Sequence, residues 1–97
     1  MLAEIQVSPR PSGTPDAKYA YADAAIAVIQ ASGLTYEVGA MGTFVQGNPD
    51  EVWALLRAVH EATIEAGADG VQSNIKVSET ADSGGPSISE LISKFRA

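Results

Sequence analysis

The stretch that decides the fold is LTYEVGAMGTFVQGNPDE, residues 34–51. Apolar and polar residues alternate over Leu34–Val38, which is the period of a half-buried strand. A break at Gly39–Ala40 precedes a second extended run, Met41–Gly47, and so short a break predicts a β-hairpin. Asn48-Pro49 then starts a helix, because asparagine caps helices and proline suits the first helical position. The order strand, strand, helix is therefore predicted for the middle of the chain.

Two further strands and two further helices flank this central stretch. Alternation predicts strands over Ala3–Ser8 and Gly70–Ser78. An apolar stripe predicts a helix over Asp16–Ser32, and the helix that follows the hairpin should end at Gly67. A capping box at Ser87–Glu90 predicts the start of a short terminal helix.

The resulting order, β-α-β-β-α-β with a terminal helix, is the ferredoxin-like pattern of an α+β domain. It predicts one domain over residues 1–97, with a four-stranded antiparallel sheet, two helices on one face and a short C-terminal helix. Prolines and glycines in Ser8–Pro15 and Glu79–Pro86 predict loops there. The second sheet face should be open and polar. The residues expected on it are Gln6, Ser8, Glu37, Asn74 and Lys76.

Composition excludes several classes of partner and chemistry. Six Lys and Arg against twelve Asp and Glu leave a net charge of −6, which argues against nucleic acid and anionic membranes. Without cysteine, the chain can form no disulfide, thiolate metal site or catalytic thiol. The first residues show no signal pattern, and no run approaches the roughly 18–20 apolar residues of a membrane helix. We therefore expect a cytoplasmic protein.

The sequence contains no pattern that supports catalysis. His60 is the only histidine, and adjacent helix residues such as His60 and Glu61 do not face each other. We expect His60 on the surface or flank of its helix. Metal-ligand spacings, nucleophile motifs and phosphate-binding glycine loops are missing from the sequence. No catalytic residue, metal site or cofactor is predicted.

Met41–Gly47 is the most informative segment for binding. Glycines at positions 42 and 47 are either turn residues at the strand ends or places where a ligand or backbone comes close. Thr43 and Gln46 can hydrogen-bond a small polar heteroaromatic ligand on an apolar surface. Two aromatic residues, Tyr36 and Phe44, either stack on such a ring or belong to the core.

Five segments, in their order and spacing, resemble the single-domain thiamine-binding proteins related to YkoF. The resemblance covers nearly the whole chain, and the third strand and the last strand are its most specific parts. The segments are Glu4–Pro9, Ser32–Glu37, Met41–Thr43 with Gly47, His60-Glu61, and Val71–Val77.

This resemblance implies a homodimer or homotetramer, assembled through the open sheet faces. It also implies non-catalytic, non-covalent binding of thiamine or its hydroxymethylpyrimidine part near that interface. Thr43 would hydrogen-bond the ligand ring. The positions that match the family's site are Gln6, Ser8, Tyr36, Met41, Gly42, Thr43 and Asn74.

The chain departs from the family pattern at three places. Gln46 stands where the family usually has glutamate, and a neutral amide can hydrogen-bond a ligand but cannot pair with a cation. Gly70 stands where arginine is common, and Glu79–Ser83 replaces a basic stretch.

Two alternatives stay open at this stage. The first is a homo-oligomeric interaction module with no small ligand. The second is an enzyme of ferredoxin-like fold acting on small aromatic substrates, such as a monooxygenase or isomerase. The fold by itself does not choose among these functions.

Overall fold

The chain folds as an α+β domain with the predicted order of elements, so the ferredoxin-like prediction is confirmed. The computed structural model describes residues 1–82 and 84–96. The elements are β1 (Leu2–Arg10), α1 (Ala20–Gln30), β2 (Thr35–Val38), β3 (Thr43–Gln46), α2 (Pro49–Ala66), β4 (Gly70–Ser78) and α3 (Ile88–Ile92), and a 3₁₀ turn follows at Ser93–Phe95.

The four strands form one antiparallel sheet in the order β2-β3-β1-β4. Ala3 lies opposite Val45 on one side and Val77 on the other, so these three side chains share a face. We call this the inner face, because α1 and α2 pack on it. The buried core combines inner-face residues with the apolar stripes of both helices: Ala3, Ile5, Ala25, Ile29, Val45, Val52, Leu55, Leu56 and Val59.

The short helix α3 lies on the opposite, outer face of the sheet. The backbone N–H of Ile88 donates to the Gln46 side-chain oxygen at 2.6 Å, and Gln46 belongs to the outer-face set of β3. Arg96 pairs with Glu37 of β2 at 3.0 Å. The expectation of an open second face is therefore wrong over β2 and β3, where α3 buries Ile88, and it holds over β1 and β4.

β1 continues further than its prolines suggested. The predicted loop Ser8–Pro15 is wrong at its start, because Pro9 pairs with Val71 and Arg10 pairs with Gly70 within the sheet. β3 accompanies β1 only as far as Ile5, so the rest of β1 has a neighbouring strand on one side only. Proline is tolerated in such a position because one side of the strand needs no hydrogen bond.

The predictions for α1 and β3 were too long at their N-terminal ends. The predicted helix over Asp16–Ser32 begins only at Ala20, because turns precede it, with the Thr14 hydroxyl accepting from the Ala17 N–H at 3.0 Å. The predicted strand Met41–Gly47 is reduced to Thr43–Gln46. Its first residues belong to the hairpin turn, which we call the 39–42 turn and which a Gly39 N–H bond to the Gly42 carbonyl closes at 2.9 Å.

The start of α2 is stabilised by the predicted Asn48 cap. The side-chain oxygen of Asn48 accepts from the Glu51 N–H at 2.9 Å, and the Asn48 amide donates back to the Glu51 carboxylate.

We expect Asn48→Ala to lower the free energy of unfolding by about 1 kcal/mol, because it removes this cap. Chemical denaturation measures the change. Asn48→Asp is the matched control, since aspartate caps helices as well as asparagine does. An equal loss of unfolding free energy in Asn48→Ala and Asn48→Asp would contradict a capping role for Asn48.

Candidate functional site

A cleft of about 160 Å³ lies between the inner face of the sheet, α1 and the 39–42 turn. Most of its lining is apolar and comes from β1 and the two long helices. The apolar lining residues are Ile5, Val7, Ala22, Ala25, Ile26, Ile29 and Val59. An apolar cavity of about 150 Å³ in another protein holds one benzene molecule, so this cleft has the size of a single six-membered ring.

Two alanines on α1 leave the space that forms the cleft. Ala22 and Ala25 face the sheet in the same apolar stripe as Ile26 and Ile29. A larger side chain at either alanine would occupy volume that is now open. The sequence predicted the apolar stripe but not the cleft beside it. The pair of small residues within the stripe was the signal that could have indicated the cleft.

Thr43 is the polar group at the buried end of the cleft. It stands at the first position of β3, points to the inner face opposite Ile5, and is 4% exposed. None of the side-chain hydrogen bonds formed within residues 1–82 and 84–96 involves its hydroxyl. The hydroxyl can therefore donate to, or accept from, a ring placed in the cleft.

The 39–42 turn forms the mouth of the cleft and lies against β1. A Cβ on Gly42 would lie 3.3 Å from both the Glu4 Cγ and the Ile5 carbonyl oxygen, so this glycine permits close packing. Gly47 has a similar role, since a Cβ there would lie 3.1 Å from Leu34. Both glycines are explained by close approach of protein atoms. Met41, at the tip of the turn, is 76% exposed.

The cleft and a depression on the outer face have two lining residues in common. β3 ends its pairing with β1 at Ile5, and beyond that point the 39–42 turn replaces it beside β1. Gln6 lies on β1 just beyond that point, and Met41 lies in the turn. Both residues line the cleft, and both also line a depression on the outer face. The two regions therefore meet at the same pair of side chains.

Polar side chains of β1 and β4 surround the depression on the outer face. The Asn74 amide donates to the Gln6 side-chain oxygen at 3.4 Å, and the Lys76 ammonium lies 4.0 Å from a Glu4 carboxylate oxygen. Both contacts are long and exposed, so they constrain these groups weakly. We call Glu4, Gln6, Asn74 and Lys76 the outer polar cluster.

The residues predicted for the site divide between the two faces. Thr43 and Tyr36 point to the inner face, and Met41 and Gly42 belong to the turn between the faces. Those on the outer face are Gln6, Ser8, Gln46 and Asn74. The structure therefore brings Thr43, Gly42, Met41 and Gln6 together around the cleft, with Asn74 next to Gln6 on the outer face.

Four candidate residues lie apart from the cleft. Gln46 holds the first residue of α3 through its side-chain oxygen, so its carboxamide has a structural partner. Ser8 lies further along the outer face, opposite Gln72. Tyr36 and Phe44 point to opposite faces and cannot stack on one ring from both sides. Tyr36 is also exposed on the edge strand, so it is not a core residue.

The single histidine lies outside the cleft. His60 is half-buried on the flank of α2, as expected, and its Nδ1 lies 2.6 Å from the Ser73 hydroxyl of β4, a contact that the sequence analysis missed. Within residues 1–82 and 84–96, no group of three acidic or histidine side chains could hold a metal ion. None of the helices in these ranges is long and apolar enough to cross a bilayer.

Two exposed groups away from the cleft have pKa values that differ from their ordinary values. A hydrogen bond to Glu61 raises the pKa of Arg57. The backbone N–H of Gly84 lowers the pKa of Asp82, and a bond from Thr80 adds to this.

Comparison with known families identifies the family to which this chain belongs. The family model described as thiamine-binding protein matches residues 3–96. The chain belongs to the thiamine-binding protein family. Among similar proteins, a UPF0045 protein of Clostridium perfringens is 31% identical over 86 residues, which cover 89% of this chain and 88% of that protein. A UPF0045 protein of Methanothermobacter thermautotrophicus is 32% identical over 63 residues, 64% of each chain.

Solved structures share the fold of this thiamine-binding family member. A domain of unknown function from Bacillus cereus superposes with a TM-score of 0.80 at 32% identity, over 99% of this chain and 91% of that one. A hypothetical protein from Methanocaldococcus jannascii gives a TM-score of 0.77 at 26% identity, over 97% and 93% of the two chains.

Proposed function

We propose that this protein is a cytoplasmic, non-catalytic binding protein for thiamine or its hydroxymethylpyrimidine part. The observation that carries the proposal is the ring-sized cleft with the Thr43 hydroxyl at its buried end, in a chain of the thiamine-binding family. Such a protein serves as a carrier, a sensor or a salvage protein for the vitamin.

Recognition would combine apolar packing with a small number of hydrogen bonds, as is usual for small-molecule sites. The pyrimidine ring packs against Ile26, Ile29 and the two alanines of α1. Thr43 bonds a ring nitrogen or the exocyclic amino group, because a hydroxyl can both donate and accept. Met41 covers the mouth of the cleft with a flexible, polarizable side chain that adapts to the ring.

Isothermal titration calorimetry tests this function. We expect heat of binding with thiamine and with hydroxymethylpyrimidine, and none with the isolated thiazole half, because the cleft recognises the six-membered ring. A rise in melting temperature with the first two ligands gives an independent readout, since a ligand that binds the folded state stabilises it. Absence of heat with both pyrimidine compounds at high micromolar ligand would contradict the proposed function.

We also propose that the protein is a homodimer or homotetramer through the outer face over β1 and β4. This surface is free of α3, and its polar cluster carries both signs of charge, so a two-fold related copy can pair with it. Sedimentation equilibrium at micromolar concentration tests self-association, and a species of 10.0 kDa alone would contradict it. An oligomer that binds neither pyrimidine compound would instead support the alternative of an interaction module without a ligand.

A further inference from the structure

We propose that Ala22 and Ala25 of α1 are specificity-determining residues, which restrict the cleft to ligands whose buried part is a single six-membered aromatic ring and exclude fused bicyclic rings. The inference rests on the proposed function. Its structural basis is the cleft volume of about 160 Å³, close to that of a cavity that holds one benzene molecule. A fused bicyclic ring is wider in its own plane, so it needs space that the cleft does not contain.

The apolar stripe of α1 changes from small to large side chains along the cleft. Ala22 and Ala25 line the cleft from the first two turns of the helix, and Ile26 and Ile29 line it from the turns that follow. These positions are spaced i, i+3, i+4 and i+7, so they lie on one side of the helix. Ile29 is a large side chain of the buried core, and it bounds the open space at its end of the cleft. The two alanines therefore determine how much of α1 a ring can occupy.

The start of α1 is held in place by the residue next to Ala22. The backbone N–H of Tyr21 donates to the Ser12 carbonyl at 3.0 Å. The Tyr21 side chain packs against Gly67 at the end of α2, where a Cβ would lie 3.0 Å from the tyrosine hydroxyl oxygen. To move α1 away from the sheet would break both contacts, so the helix cannot shift at little cost to admit a larger ring.

The 39–42 turn, which forms another wall of the cleft, is also constrained. The Gly39 N–H bond to the Gly42 carbonyl closes the turn, and Gly42 is in close contact with Glu4 and Ile5 of β1. Thr43 follows directly and pairs with Ile5 in the sheet. With both walls held, the open volume beside the alanines decides which ring enters.

Isothermal titration calorimetry with two probes tests the inference. The first probe is hydroxymethylpyrimidine, and the second is 4-amino-2-methylquinazoline, in which a benzene ring is fused to the same aminopyrimidine. The amino group, the methyl group and the ring nitrogens are common to both probes, so the difference between them is size. We expect the wild-type protein to bind the quinazoline about tenfold more weakly or worse, because even one extra methylene in a tight apolar pocket has an effect of this order.

Substitutions at the two alanines should change the probe preference in opposite directions. Ala22→Val and Ala25→Val should each weaken hydroxymethylpyrimidine binding about tenfold or more, because two methyl groups enter the space of the ring. Ala22→Gly removes one methyl group from the wall. It should therefore narrow the difference between the two probes by up to roughly tenfold.

Ala27→Val and Ala27→Gly are the matched controls. Ala27 lies on the same helix, is exposed and does not line the cleft. The same substitutions there change the helix propensity equally, so both control variants should keep the wild-type affinity for each probe.

The outcomes separate this inference from the proposed function. If the wild-type protein binds both probes equally, or if the two valine variants keep the wild-type affinity for hydroxymethylpyrimidine, size selection by the alanines is wrong while the proposed function stands. If the wild-type protein binds neither probe, the proposed function fails and this inference fails with it. Circular dichroism verifies the fold of each variant. Should Ala25→Val fail to fold, because Ala25 belongs to the core, Ala22→Val at its half-buried position decides the question.

Discussion

Thr43→Val should weaken hydroxymethylpyrimidine and thiamine binding by about 1–3 kcal/mol, or roughly 5- to 150-fold in dissociation constant. Valine keeps the branched shape of threonine but leaves a polar group of the bound ring without a partner. This substitution should affect both ligands equally, because both place the same ring in the cleft. Isothermal titration calorimetry measures the two affinities.

The folded state should tolerate this substitution. Thr43 is almost fully buried on the inner face, and none of the hydrogen bonds formed by the described side chains is lost when its hydroxyl is removed. Thr35→Val is the matched control, since it makes the same change on the neighbouring strand at an exposed, outer-face position. If Thr43→Val binds thiamine and hydroxymethylpyrimidine with unchanged affinity, Thr43 has only a packing role and the ligand binds elsewhere.

Leu56→Ala should lower the free energy of unfolding by about 2–5 kcal/mol. Leu56 is 2% exposed and lies in the core between α2 and the sheet, so truncation removes buried apolar atoms and leaves a cavity. For a domain of this size, the melting temperature should fall by roughly 10 °C or more. Urea denaturation measures the change, with an unaltered m-value showing that the denatured state is unaffected.

Leu91→Ala is the matched control for the core prediction. Leu91 belongs to the short α3 and is 46% exposed, so its truncation should cost less than about 1.5 kcal/mol. Both variants must be compared at one protein concentration, because self-association would link stability to concentration. Equal effects at the two leucines would contradict the assignment of the core to the inner face.

The sequence predicted which residues of the hairpin lie together better than it predicted which face each side chain takes. Thr43, Gly42 and Met41 do come together at one cleft, because they are neighbours along the chain and one hairpin turn carries them. Gln46 and Tyr36 were predicted with them, yet neither lines the cleft: Gln46 points to the outer face, and Tyr36 shares the inner face but lies on the edge strand. The period of a strand sends alternate side chains to opposite faces, so proximity in sequence did not imply one surface.

The starts of α2 and α3 and the limits of β4 were determined by the sequence itself. The Asn48 and Ser87 caps act between residues three apart, and alternation over Gly70–Ser78 reproduces the observed strand. These are local interactions, which the order of residues specifies directly.

Only the tertiary structure decided where the cleft and the outer polar cluster lie. The cleft exists because two alanines of α1 pack over the inner face of the sheet beside Thr43, and α3 reaches the outer face through a bond between Gln46 and Ile88, 42 residues apart. Gln6 lies beside the 39–42 turn because β3 stops pairing with β1 at Ile5. Each of these features is a contact between distant segments. The sequence specifies the partners, but the packing of the whole domain selects which of them meet.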